Sequence, residues 1–138
     1  MSEQTIVHHW FEQVWNQGRE SAIDEIMAPD AHAHGLTHPS GTPVRGPAAF
    51  RDFYRQYQAA FSDIHIAVED TVREGDKIAA RCRVTARHTG DGVAGPATGK
   101  TVEFTGLCLA RVRDGQIVEA WNHFDFLNMF RQVGLTLR

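Results

Sequence analysis

Glu119, Trp121, His123 and Asp125 alternate along the segment RDGQIVEAWNHFDFLNMFRQVG, residues 113–134. Side chains two apart on a strand share a face. An indole, an imidazole and two carboxylates are thus expected on one side, and Val118, Ala120, Asn122 and Phe124 on the other. Polar groups set among apolar ones are costly unless they are paired or used. Asp125 is the leading candidate for chemistry. A carboxyl group walled by Trp121, Phe126 and Leu127 suits a general acid, because an apolar site favours the neutral form. Such an acid can protonate a developing enolate oxygen or move a proton at an activated carbon. Asp125 also precedes FLNMF, where an Asp side chain can accept from the free amides of a helix start. The sequence leaves both roles open. His123 shares the face and could orient the carboxyl, bind a substrate oxygen or relay a proton; the alternative is a partly exposed histidine.

Other residues invite a functional reading beside a plain one. His88 ends a strand-like run next to Gly90, where it could face a cavity mouth and donate to a carbonyl, or simply belong to a turn. Trp10, Phe50, Phe53, Tyr57 and Trp121 could line a cavity for flat rings or form ordinary core, and Tyr57 adds a hydroxyl. His32, His34 and His38 raise a metal site, since His-Xaa-His on a strand puts both rings on one side. Apart from Asp30, no carboxylate or cysteine lies at a convincing offset, and the Pro/Gly-rich stretch around His38 is a poor frame, so no metal is expected. His8 and His9 are expected at the surface. Arg81, Arg83 and Arg87 alternate opposite Cys82 and Val84 and read as a solvated or dimer-facing side, with Glu103 and Arg111 as possible partners. No Gly-Xaa-Ser-Xaa-Gly frame or phosphate-cradling glycine loop is present.

The elements that must position these residues fall into two halves. Ile6, Val7, Trp10, Phe11, Val14 and Trp15 recur at helical spacing up to Gly18. Ile23, Ile26 and Met27 mark a short second helix stopped by Pro29. Residues 30–46 read as loop or short strand. Gly46-Pro47 opens a third helix, as proline fits a first turn, with an apolar stripe of Phe50, Phe53, Tyr54, Tyr57 and Phe61. Strands follow over 63–73, 77–88, 100–112 and 116–125, separated by Gly/Asp turns. A short helix, about Phe126 to Gln132, closes the pattern. The fold class is therefore α+β: a cone-shaped domain with three N-terminal helices packed on a curved, mostly antiparallel sheet, plus a short C-terminal helix. The cavity inside such a cone is a natural small-molecule site.

The 138 residues carry 14 basic and 17 acidic side chains, a net charge of −3 with the signs interspersed, and read as one domain, 1–138. Without a basic stripe, nucleic acid is not an expected partner. No apolar run reaches the ~18 residues of a membrane span. The start MSEQTIVHHW lacks the pattern of a signal peptide, so a cytoplasmic location is expected. Cys82 and Cys108 lack metal-ligand spacing and read as buried free thiols, with a disulfide the lesser alternative.

Five pieces in order carry a resemblance: FEQVWNQG (11–18), GPAAFRDFYRQYQAAFSDIHIAVED (46–70), EGDKIAARCRVTARHTG (74–90), PATGKTVEFTG (96–106) and DGQIVEAWNHFD…RQVG (114–134). Together they resemble the SnoaL-like polyketide cyclases, within the nuclear transport factor 2-like (ketosteroid-isomerase-like) superfamily, over nearly the whole chain. The resemblance implies Asp125 as acid/base catalyst, His88 at the family's histidine position, His34 at the pocket rim, and a homodimer through the outer sheet face. It implies intramolecular aldol ring closure on a hydrophobic small molecule, without metal or cofactor. Ala86 and Arg87 depart from the usual Gly-Thr before His88, and Ser62 from a usual Pro. Two rivals keep the fold. One is an isomerase or epoxide hydrolase-like enzyme; epoxide opening wants a second acid, and Glu119 stands roughly 20 Å from Asp125 along a strand. The other is a non-catalytic ligand-binding dimer.

Overall fold

A computed structural model describes residues 5–37 and 41–134. His38 lies outside the described residues. Helix α1 spans Ile6–Trp10 and continues as a π-helical stretch, Phe11–Asn16. Its start is closed reciprocally: Thr5 Oγ1 accepts from Val7 and His8, and His8 Nδ1 accepts from the Thr5 amide at 3.0 Å. Satisfying these otherwise free amides is what a capping box does, here with histidine in the third position. After α1 come α2 (Ser21–Ile26), β1 (Met27–Thr37), β2 (Pro43–Arg45), α3 (Gly46–Ala60), β3 (Phe61–Glu74), β4 (Lys77–His88), β5 (Thr101–Arg113), β6 (Gln116–Phe124) and α4 (Phe126–Gln132).

Two elements differ from the expectation. Residues 27–37 form a full strand, and Pro29 lies inside it rather than ending a helix. Phe61 opens β3 instead of completing the α3 stripe. The six strands run in the order β2-β1-β6-β5-β4-β3. All neighbours are antiparallel except β1 and β6, which run parallel. The Asp114-Gly115 turn between β5 and β6 has both residues at positive φ (52° and 76°). That geometry matches the twist of a two-residue hairpin.

One face of the sheet is buried. On β4 it presents Ile78, Ala80, Cys82, Val84, Ala86 and His88, and on β5 Val102, Phe104, Gly106, Cys108 and Ala110. The helices cover this face. Phe50, Phe53 and Tyr54 of α3 are buried against it, and the Tyr54 hydroxyl donates to the Val14 carbonyl at 2.9 Å, tying α3 to the π-helical stretch. Asn16 ties that stretch to β3: its Nδ2 donates to Ile66 O (2.9 Å) and its Oδ1 accepts from Ile66 N (2.6 Å). β3 is an edge strand, so Asn16 satisfies backbone groups that would otherwise stay unpaired. The opposite face carries Arg81 and Arg83, which pair with Glu69, Asp70 and Glu103. Both thiols are buried and free, and burial pushes each up to about 12. Among the described residues, no helix is long and apolar enough to cross a membrane.

Candidate functional site

Between the helices and the concave face lies a cavity of about 80 Å³. A single water needs only about 10–15 Å³ on such a measure, so a ring system has room to enter. Trp10 and Trp15 line it from the first helix, Phe50, Phe53 and Tyr57 from α3, and Phe124 and Phe126 from the chain's last elements. Their rings meet mostly edge-on or tilted, with Trp10 and Phe50 at 5.0 Å and 61°, and Phe53 and Tyr57 at 4.8 Å and 37°. Such contacts hold the walls in place while leaving flat faces open. Trp10, Phe50, Phe53 and Tyr57, candidate substrate-binding residues from the sequence, all border this cavity.

β6 presents the other face from the one expected. Ala120, Asn122 and Phe124 point inward; Glu119, Trp121 and His123 point outward. The cause is one residue. From Arg113↔Gln116 and Val112↔Ile117 the ladder moves to Arg111↔Glu119, leaving Val118 as an extra residue. An unbroken hairpin would set Trp121 opposite the buried Cys108. The bulge sets it opposite Leu109 and puts Asn122 opposite Cys108. A one-residue shift exchanges the faces of every side chain beyond it.

The corrections follow from that shift. Trp121 is not a lining residue: it stacks on His34 (5.3 Å, 12°) and lies under the Arg111 guanidinium at 5.7 Å. His123 is exposed opposite Leu107. Asp125 is exposed, and its Oδ1 accepts from Asn128 N at 3.1 Å as the N-cap of α4. The carboxylate therefore satisfies a helix start and lies outside the cavity lining. His34 also points outward, where its Nε2 meets Glu119 Oε2 at 2.7 Å. That contact, made mainly with His34, holds Glu119 below the usual carboxylate range.

His88 is different. It lies on the inner face two residues beyond the lining residue Ala86, is fully buried, and packs its ring 5.2 Å from Phe61, itself a lining residue. Nδ1 is held at 3.0 Å by Thr98 Oγ1, while Nε2 is buried with no partner among the described residues. A buried polar atom left unpaired costs free energy, and its persistence in a fold calls for a reason.

Asn122 is the residue the sequence did not single out. It lines the cavity, and its Nδ2 donates to the His34 carbonyl at 2.9 Å. Its neighbour Gly35 has φ +82°, and a Cβ there would stand 1.9 Å from the Asn122 carbonyl oxygen, so only glycine lets β1 come this close. Tyr57 supplies the other oxygen-bearing side chain. Burial pushes its phenol up to about 12, which keeps it a neutral donor at physiological pH. Among the described residues no carboxylate and no imidazole lines the main cavity itself. The site can thus bind a flat, apolar molecule and offer its oxygen atoms a phenol and an amide.

Comparison with known proteins finds a family and relatives for this chain. The sequence model of the SnoaL-like polyketide cyclases matches residues 5–133. The chain is 28% identical over 124 residues to aklanonic acid methyl ester cyclase DnrD of Streptomyces peucetius, covering 88% of this chain and 84% of that protein. It is 30% identical over 121 residues to nogalonic acid methyl ester cyclase of Streptomyces nogalater, covering 87% and 89%. Among solved structures, IdmH of Streptomyces antibioticus superposes with a TM-score of 0.80 at 34% identity, covering 94% of this chain and 96% of that one.

Proposed function

This chain belongs to the SnoaL-like polyketide cyclase family, and on that premise we propose a cofactor-independent, cyclase-type enzyme acting on a hydrophobic cyclic carbonyl compound. The reaction is intramolecular aldol ring closure or a closely related proton transfer. One observation carries the reading: an aromatic cavity whose oxygen-bearing side chains, Tyr57 and Asn122, are both neutral. Closing such a ring makes an enolate and then an alkoxide, and fixed neutral donors in an apolar cavity stabilise both. The phenol of Tyr57 donates to the carbonyl oxygen that becomes the enolate, and the Asn122 amide positions the second carbonyl.

We assign proton transfer to His88 rather than to Asp125. The imidazole is buried beside the lining residue Phe61, Thr98 fixes one nitrogen, and the other nitrogen has no partner. A general base must come within hydrogen-bond reach of its proton when substrate is bound. Phe61 is the lining residue whose ring packs on this imidazole, so its displacement by bound substrate is the movement we propose. Asp125 instead has a structural task as helix cap. Epoxide opening is disfavoured, since it asks for acids that the cavity lining does not hold. The outer sheet face around exposed Leu107 and His123, which stand opposite each other on β5 and β6, is the proposed surface for a homodimer.

The test uses aklanonic acid methyl ester, which DnrD is named for, as probe with wild type, His88→Gln and Asp125→Asn. Wild type is expected to close the ring. His88→Gln is expected to lose at least ~100-fold in kcat while keeping probe binding. Asp125→Asn is expected to keep kcat within a few-fold and lose only stability, as a weakened cap does. Turnover lost in Asp125→Asn and retained in His88→Gln would overturn the assignment. Binding without turnover in the wild type would leave a ligand-binding protein instead.

A further inference from the structure

Outside the cavity, on the opposite face of the sheet, β1 and β6 bring two imidazoles and a carboxylate together. The parallel register sets His32 beside Glu119 and His34 beside Trp121, so both histidines and Glu119 project from the same face. The two imidazole rings lie 3.7 Å apart. One ligand atom from each of His32, His34 and Glu119 falls within 4.8 Å of the other two. From this, the geometry points to a zinc(II) site formed by His32, His34 and Glu119, which staples β1 to β6.

The chemistry suits zinc. Imidazole nitrogen and carboxylate oxygen bind it at about 2.0–2.2 Å, which asks donor atoms of a tetrahedral site to stand about 3.3 Å apart. His34 Nε2 and Glu119 Oε2 are already 2.7 Å apart, and a ligand atom of His32 lies within 4.8 Å of both side chains' ligand atoms. The cation takes the place of the hydrogen now shared by that pair. A fourth position stays open to water, as all three side chains are only partly buried.

The surroundings support the ligands. Arg111 Nη1 donates to the other Glu119 oxygen, Oε1, at 3.2 Å, so the carboxylate is oriented and Oε2 is left for the cation. Such outer contacts set the direction of a ligating group. Trp121 stacks on His34 and fixes its ring plane. On the cavity side, the His34 carbonyl anchors Asn122. A cation on the His34 ring therefore fixes the backbone that places a cavity amide.

The test titrates the full chain with zinc(II) by calorimetry, and with cobalt(II) by visible absorption, whose intensity reports tetrahedral imidazole ligation. Wild type is expected to bind one ion per chain. His32→Gln and His34→Gln are each expected to bind about tenfold or more weakly. His9→Gln, in the exposed part of α1, is expected to bind as wild type does. Zinc is expected to raise the Tm of wild type and of His9→Gln alone among these proteins. Failure of wild type to bind saturably, or equal binding by the double variant His32→Gln/His34→Gln, overturns the proposal. If a variant folds poorly, copper(II) spin resonance on wild type decides. Coupling to two imidazole nitrogens supports the site, and its absence overturns it. Neither readout depends on turnover, so the cavity chemistry and this site stand or fall separately.

Discussion

Replacing Asn16 by alanine removes the clamp between the π-helical stretch and the free edge of β3. Three hydrogen bonds are lost: two with the Ile66 backbone and one from Nδ2 to Glu12 Oε1. The Ile66 amide and carbonyl are left without partners at a residue that is buried. An unsatisfied group of this kind costs about 1–3 kcal/mol. These lie at a sheet edge that water can partly reach, so the low half of that range applies to each, giving a total of about 3 kcal/mol. With about 2.1 cal/mol/K per residue, unfolding 138 residues carries about 0.3 kcal/mol/K, so the loss lowers Tm by about 10 °C. Urea unfolding at constant slope is the second measurement, since an unchanged slope ties the shift to stability. Ile66 lines the cavity, so probe affinity is expected to fall as well. A Tm within about 2 °C of wild type would refute the reasoning, because it would mean water replaces the clamp at no cost.

Other perturbations probe separate links. Tyr57→Phe keeps the cavity wall and removes the phenol; kcat is expected to fall by roughly 100-fold with Tm within about 2 °C, measured by probe turnover and thermal melting. Gly106→Ala would place a methyl 2.2 Å from Phe124 Cδ1, so the ring must swing into the cavity; a crystal structure and a drop in probe affinity check this. Glu12 sits below the usual carboxylate range because Gln17, then Asn16, donate to it. Its depressed value stabilises the fold above the ordinary pKa and loses that contribution as pH falls through the lowered one. Glu12→Gln is therefore expected to flatten the acid side of a Tm–pH profile below about pH 4.5. Cys82 and Cys108 are expected to resist thiol reagents at pH 8 until the chain unfolds, as both are buried and pushed up to about 12.

Much of the fold was legible in residue order. Aromatic spacing marked α1 and α3, and Gly/Asp pairs marked each hairpin. The aromatic lining from Trp10, Phe50, Phe53 and Tyr57 followed, because a cavity wall in such a fold is also its core. What stayed hidden was parity. Alternation along 117–125 shows two sets of residues but not which set is inside. Val118 decides it by bulging, and no residue type near it announces the bulge. Asn122 therefore looked like an outer residue, and Trp121 like an inner one. The approach of Glu119 to His32 and His34 was equally unreadable, because it needs the parallel pairing of strands some 85 positions apart.

That parallel pairing also sets an order of events during synthesis. β1 reaches the main sheet only through β6, and β2 only through β1. A ribosome therefore releases β1 and β2 long before β6, the strand that joins them to the rest of the sheet, exists. Helices and the β3–β4–β5 meander can assemble first from near neighbours, while β1 waits for a distant contact, the slow kind in folding. During that interval both edges facing the gap carry unpaired backbone groups, which invite pairing with other chains. The cavity gains its Leu36 and Asn122 wall only when β6, which carries Asn122, inserts between β5 and β1, which carries Leu36. A chain cut before residue 116 keeps most of its core residues yet has no closed cavity, so ligand binding marks the last step of its assembly.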